Sequence, residues 1–315
     1  NVAVGYQAGK VVTTATNNTL VGPYAGYDLT TGTGNTLIGS EADGNNETGG
    51  YNTIIGYQAA AGAHGSSHNS TVAIGYRAAF NLTTGNDNVA IGQSALQTVT
   101  TSTRNVAVGT TAGYAGGGTG YNVYMGYEAG KQHIGGNVVH IGSEAGQNAS
   151  GSSNTFVGYQ SGKGGTTSAP YSSGTNNVAM GYQSLLKFTT GGNNVSIGQS
   201  SQYESTTGNY NVAIGDAASY RNQTGVENTA IGREAMYGVN GNSHSYNVAV
   251  GSLSLYGITT GESNVGIGVR AGLSITSGDH NIAIGRYAGD AITTTAGTVS
   301  IGTSALGGIT TTGDY

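Results

Sequence analysis

A short triplet followed by glycine keeps returning along this chain: "VAVG" at 2–5, "TLVG" at 19–22, "VAIG" at 89–92, "VSIG" at 195–198. In a strand, residues two apart share a face and neighbours point to opposite faces. β-Branched residues suit a pleated surface. Each triplet is therefore predicted to be a short strand. Its first residue (Val, Thr or Ile) and third residue (Val, Ile or Met) are expected to face inward. The middle residue, mostly Ala, Ser or Gly, is expected to face the other way, although it admits Leu20, Ile54, Tyr124, His140 and Phe156. Helices are improbable, because no 3.6-residue apolar period survives and 58 residues are Gly.

The closing glycine falls at Gly5, Gly22, Gly39, Gly56, Gly75, Gly92, Gly109, Gly126, Gly142, Gly158, Gly181, Gly198, Gly215, Gly232, Gly251, Gly268, Gly285 and Gly302, eighteen copies in all. Most are 17 apart; the gap is 19 before Gly75 and Gly251, 16 before Gly142 and Gly158, and 23 before Gly181. The run 17, 17, 17, 19, 17, 17, 17 occurs twice, which points to duplication of a whole block. Four residues before the glycine stands Asn, except at Thr71, Val138 and Thr298, and three after it stands Ala or Ser in every copy. Low-complexity disorder shows bias without register. Register this strict requires that each column meet the same surroundings each time.

One such unit buries nothing alone, but stacked units do. The predicted coil has the triplet strand, a bend at the glycine, a second short strand on a return face up to the Ala/Ser, and a "TTG"-type turn whose Gly supplies positive φ. Like strands of successive coils pair in parallel about 4.8 Å apart, so eighteen coils span roughly 85 Å. The Ala/Ser column marks a place too tight for anything larger. The Asn column reads either as a ladder of amides along the stack or as a turn residue that tolerates the left-handed region. The fold class expected is all-β, a parallel β-roll solenoid of about 18 coils running through 1–315, with a first block 1–137, an irregular stretch 138–176 and a second block 177–315. The chain starts inside one repeat and ends with Tyr315 left over. Open parallel edges invite continuation, so a longer fibre is expected.

Composition agrees with a thin core: 36% of residues are apolar and 8% are charged, with no Trp. The absence of Cys excludes disulfides and thiolate metal sites. The net charge of −5 is spread singly, with no basic patch for nucleic acid. No apolar run approaches the roughly 18 residues of a membrane span.

Candidate chemistry is sparse. His64 and His68 lie in a long turn and His244 in the matching turn of the second block, without a carboxylate cluster to complete a metal site. "GYQAGK" and "GYQSGKGG" have the wrong spacing for a phosphate loop, and the turns lack the Asp of calcium-binding repeats. No catalytic set, cofactor site or metal site is expected. Tyr recurs one after the glycine, at Tyr6, Tyr57, Tyr76, Tyr127, Tyr159 and Tyr182, and five after it, at Tyr27, Tyr114, Tyr203, Tyr220, Tyr237 and Tyr256. Such rows suit carbohydrate or protein contacts, or rings that simply pack on one another. The longer turns at 61–70, 162–175 (with Tyr171) and 238–246 are candidate binding loops.

"NVAIGQSALQ", "NTAIGREAMY" and "NVAVGSLSLY", each leading to a "TTG"-like turn, resemble the head repeats of YadA-like trimeric autotransporter adhesins and the related shaft repeats of phage tail fibres. The resemblance covers the whole chain, with a longer period than the roughly 14-residue coils of those heads. It implies a left-handed β-roll, three chains about one axis, and a role as attachment surface or spacer on a cell surface or virion. The small or apolar middle residue of each triplet, expected to face away from the core, is a second pointer to burial against partner chains. The expected partners are two further copies of the chain, or an end-to-end fibril, with a carbohydrate or host-surface receptor possible. A self-assembling extracellular fibril without a receptor is the alternative. An ice-binding solenoid ranks low because the threonines are adjacent and lie in turns, and an enzyme comes last.

Overall fold

The computed structural model describes residues 1–116, 118–239 and 241–308. Tyr315, the end of the second block (309–315) and one residue of the third long turn, Asn240, lie outside them. The chain is an all-β parallel solenoid of about eighteen turns. It divides into two compact units, Asn1–Ser153 and Asn154–Tyr315. In the first, β1 (Val2–Val4) to β9 (Val139–Ile141) pair in sequence order, and in the second β10 (Thr155–Val157) to β18 (Val299–Ile301) do the same. The register is column on column: Val89 pairs with Val106, Ala90 with Ala107, Ile91 with Val108.

The strand faces the opposite way from the sequence expectation. The middle residue is the buried one: Ala73, Ala90, Leu37, Tyr124, His140 and Phe156 are all fully buried. The flanking columns look outward, with Ile91 36% and Met125 41% exposed. The small middle residues are therefore core and say nothing about partner chains. The physical reason is the narrowness of the coil. The return path passes close behind the strand, so the inside accepts mostly small side chains and the bulky β-branched residues are left outside.

A size rule in the columns supports this. Where the middle residue is large, the residue four after a nearby glycine is often Gly. A Cβ on Gly130 would stand 2.2 Å from the Tyr124 ring, one on Gly146 2.4 Å from His140, and one on Gly162 2.4 Å from Phe156. In four of the coils whose middle residue is Ala, that fourth position carries a large side chain instead, Leu96, Leu185, Met236 and Leu255, all fully buried. A third core position lies seven after the glycine, at Leu29, Leu82, Val99, Phe188, Ile258 and Ile275. The Ala/Ser column is buried as expected. Its serines donate to the middle-residue carbonyl of the next coil, Ser161 to Ala179 at 2.7 Å and Ser201 to Ala213 at 3.0 Å.

The predicted second strand is absent among the described residues; a chain of tight turns takes its place. In the Gly22 coil the amides of Ala25, Tyr27 and Leu29 donate to the carbonyls of Gly22, Tyr24 and Gly26, each at 3.2 Å. The second and fourth residues after the glycine sit at positive φ, Tyr24 at 59° and Gly26 at 56°, or Ser94 at 56° and Leu96 at 50°. These turns still bond along the stack: Tyr24 N–H donates to Tyr6 O at 2.9 Å and Gly26 N–H to Ala42 O at 3.0 Å. The energetic cost of left-handed non-glycine residues is thus offset by a second ladder.

Two glycine columns have distinct causes. The repeat glycine combines a φ near 130° with close approach: a Cβ on Gly92 would lie 2.6 Å from the Gly109 carbonyl oxygen. The "TTG" glycine was expected at positive φ, but Gly85 and Gly191 are not there. It is required because the next coil passes so near: a Cβ on Gly85 would be 2.2 Å from Ser102 O.

The Asn column is a ladder. The Asn35 backbone N–H donates to Asn18 Oδ1 at 2.8 Å and Asn52 N–H to Asn35 Oδ1 at 2.9 Å. Asn177, Asn194, Asn211, Asn228, Asn247, Asn264 and Asn281 repeat the bond in the second unit. The side-chain amide also closes its own coil: Asn194 Nδ2 donates to Gly208 O at 2.8 Å. These buried asparagines therefore have both amide ends satisfied.

Candidate functional site

The outward side of the strands is the feature that sequence reasoning missed. In each unit the first and third strand columns form a two-residue-wide strip over nine coils, made only of Val, Ile, Met and Thr. Among its members Ile38, Met125, Ile141, Met180, Ile214, Ile231, Ile267 and Ile284 count as exposed. At about 4.8 Å per coil and two residues wide, each strip covers on the order of 300–400 Å², at the scale where an apolar patch signals an interaction. The size rule described above was the signal in the sequence that could have found it.

The tyrosines one after the glycine are on the surface: Tyr6, Tyr57, Tyr76, Tyr127, Tyr159 and Tyr182 are all exposed. Only adjacent coils bring two together. Tyr57 stacks on Tyr76 with centroids 5.9 Å apart, and Tyr159 on Tyr182 at 5.4 Å. Tyr6 meets Tyr24 edge-on at 5.4 Å. Five after the glycine, Tyr203, Tyr220, Tyr237 and Tyr256 form a continuous stack. Lys187 lies over Tyr203, and Arg221 over both Tyr220 and Tyr237. A further exposed set, Tyr51, Tyr121, Tyr210 and Tyr246, precedes the Asn column by one and was not singled out in the sequence.

The histidines separate. His64 is exposed, its Nδ1 2.6 Å from Asp28 Oδ2. His68 is in the core, fully buried, with Nε2 2.9 Å from the equally buried Asp43 Oδ1. His244 is also fully buried, its Nδ1 3.4 Å from Asn228 Oδ1. Burial holds the His244 imidazole down at a pKa of about 4. His68 and His244 therefore cannot present themselves as surface-binding groups, and Tyr171 is half-buried in its turn. No group of three or more metal-ligating side chains occurs among the described residues.

A second buried polar cluster lies in the first unit and includes two of the middle residues expected to face outward, Tyr124 and His140, together with His133. Tyr124 Oη and His133 Nδ1 are 2.6 Å apart, His133 Nε2 reaches Gly151 O at 3.2 Å, and the His140 ring stands edge-on to His133 at 5.4 Å. With Nδ1 hydrogen-bonded to the hydroxyl and Nε2 to a carbonyl, His133 is neutral. Burial lowers it to about 4, against the opposing pull of the Gly151 carbonyl. Burial, then the neighbouring His133, keeps His140 well below the ordinary histidine value. Burial also raises the Tyr124 hydroxyl. This is a packed core, not a cleft.

A cavity lies on the first unit. It is a groove of about 360 Å³ lined by Tyr24, Tyr27, Glu41, Gly44, Asn45 and Ala61. Gln58 Nε2 donates to Glu41 Oε2 at 2.7 Å and Asn45 Nδ2 to Gly62 O at 3.1 Å, so both rim side chains are held in place. No helix among the described residues is long and apolar enough to cross a membrane.

Set against models of known protein families, curated proteins and solved structures, the chain matches none of them.

Proposed function

We propose that this chain is a structural attachment segment, a solenoid displayed on a cell surface or virion that assembles with two further copies of itself. The observation that carries the reading is the uncharged Val/Ile/Met/Thr strip repeated over nine coils in each unit. A monomer would leave it facing water, and apolar patches of this size are often functional. It is regularly spaced, so a second copy offers a complementary surface, and closed symmetry is the usual outcome for homo-oligomers. The resemblance of the repeats to trimeric adhesin heads and tail-fibre shafts supports three as the number. The remaining surface, with its tyrosine rows, is then what a receptor meets.

Sedimentation velocity with chemical cross-linking tests this. A trimer is the expected species. Ile91→Glu together with Ile214→Glu should release monomers that keep the β-sheet circular dichroism of the parent, because both side chains point out of the coil. A parent chain that sediments as a monomer overturns the proposal. Long filaments in electron micrographs would instead favour the fibril-forming alternative.

A further inference from the structure

Positions 176 apart in the two blocks correspond. In the second unit the fifth residue after successive glycines is Tyr203, Tyr220, Tyr237 and Tyr256, stacked at 5.0, 5.1 and 5.3 Å with planes within 13°. In the first unit the same column reads Tyr27, Gly44, Ala61 and Phe80. The groove lined by Tyr24, Tyr27, Glu41, Gly44, Asn45 and Ala61 is therefore an aromatic ladder with its two middle rungs missing. Lys10 sits over the Tyr27 ring, 5.0 Å from its centroid, and donates to its hydroxyl at 2.9 Å. Lys10 belongs to the preceding coil and Gly44 to the following one, so the Tyr27 face toward Gly44 is left to the groove. Tyr24 leans on Tyr27 at 5.7 Å as a side wall.

We infer that this groove binds a neutral pyranose of a glycan, the sugar ring lying where Tyr220 lies in the second unit. The C–H face of a pyranose stacks on an aromatic ring as another ring does. The vacated space extends over two coils, enough for one or two sugar rings at about 4.8 Å per coil. The rim supplies what hydroxyls need: the Glu41 carboxylate as acceptor and the Asn45 amide as donor and acceptor. A few fixed polar groups around an aromatic floor is the usual make-up of a small-ligand site. The Glu41 carboxylate in the lining disfavours acidic sugars, which selects neutral ones. An aromatic side chain of a protein would stack equally well but would leave the polar rim unused.

The inference deepens the attachment reading and can be separated from it, since it concerns this groove alone. The test is saturation-transfer NMR on the whole chain with methyl glucopyranoside, galactopyranoside and mannopyranoside, and with N-acetylneuraminic acid as the acidic control. The diagnostic variant is Gly44→Tyr. A Cβ there meets nothing nearer than 3.5 Å, and Tyr220 occupies the matching position, so the variant should fold and complete the ladder. We expect transfer to at least one neutral pyranose, its loss in Gly44→Tyr, and binding weakened on the order of tenfold in Tyr27→Ala, as for loss of a stacking contact. No neutral pyranose bound by the parent chain, or binding that survives Gly44→Tyr, overturns the inference. So does transfer to N-acetylneuraminic acid alone, or a groove that Gly44→Tyr closes to an aromatic peptide but that never takes a sugar. A trimer with any of these results leaves the attachment reading standing.

Discussion

His68 and His244 hold the same buried place 176 residues apart, yet their surroundings differ in charge. In the first unit Asp43 lies beneath His68, with 2.9 Å between carboxylate and imidazole, and its other oxygen accepts from Asn46 Nδ2 at 3.1 Å. In the second unit the residue matching Asp43 is Ser219, and His244 turns to the Asn228 amide oxygen instead. The backbone is unchanged: Asp43 and Ser219 both have φ of 51°. The matched asparagines do the same work, Asn46 Nδ2 donating to His68 O and Asn222 Nδ2 to His244 O, each at 3.2 Å. The comparison teaches that the backbone ladder fixes the coil while the few core side chains are exchangeable, since the fold tolerates at both places a buried ring nitrogen without a hydrogen bond, His68 Nδ1 in one and His244 Nε2 in the other.

Asp43→Ala breaks this most severely. It removes the carboxylate from a fully buried imidazole and strips Asn46 Nδ2 of an acceptor. A loss of about 3 kcal/mol or more is expected, the range for breaking one side of a buried polar pair. Ser219→Ala at the matched place should cost about 1 kcal/mol or less. Urea midpoints for the two variants measure the difference, and equal midpoints would show that the carboxylate is not what accommodates His68.

Acid provides the second test. The folded unit holds His244 neutral down to about pH 4, whereas the unfolded chain takes up its proton near the ordinary value of 6.5. The unfolded state therefore binds more protons between those values. The stability contributed by keeping His244 neutral is full above about pH 6.5, falls as pH drops towards 4, and is lost below that. The gap corresponds to about 3 kcal/mol. Imidazole NMR shifts should show His244 titrating near pH 4, and Ser219→Asp should raise that value by giving the ring the carboxylate His68 has. A His244 resonance that titrates at its ordinary value would mean the ring is not buried.

Much of this frame was legible in the sequence. The coil period, the repeat glycines, the tight Ala/Ser column and the tyrosine stack from Tyr203 to Tyr256 all follow from columns that meet one environment repeatedly. The facing of the strand was not, because "Val-Ala-Ile" is apolar on both faces and the habit of placing bulk inside fails in so narrow a coil. The information was present in the trade of Tyr124 against Gly130 or Ala90 against Leu96, which only makes sense if those residues share one interior. The turn path was hidden for another reason: Ser94 and Leu96 take left-handed backbone with no propensity to announce it. His68 and His244 were read as loop residues because a long turn is usually exposed, whereas these turns fold back to cap the core. The groove was invisible in either block alone and emerges only when Gly44 and Ala61 are set against Tyr220 and Tyr237.

The smallest effect is the most specific check on the ladder. Thr71 interrupts the Asn column: its N–H donates to Asn52 Oδ1 at 2.9 Å, but its side chain carries no amide to pass the pattern on. The matched residue in the second unit is Asn247, whose N–H donates to Asn228 Oδ1 at 3.0 Å, whose Nδ2 donates to Gly261 O at 2.9 Å, and whose Oδ1 accepts from Asn264 N–H at 2.8 Å. Thr71→Asn places the same amide on the same backbone in the first unit, where it would bond onward to the Asn88 backbone N–H. The Thr71 hydroxyl now donates to Asn69 O at 3.3 Å, a bond that the Asn247 amide makes to the matching Ser245 O at 2.9 Å, so the exchange keeps that contact and adds the onward ones, and a gain of about 1 kcal/mol is expected, the net worth of one or two buried hydrogen bonds. A raised urea midpoint, with slowed amide exchange at Asn88, would show that continuity of the ladder and not the local turn governs this column; an unchanged midpoint would assign the asparagines to their own coils alone.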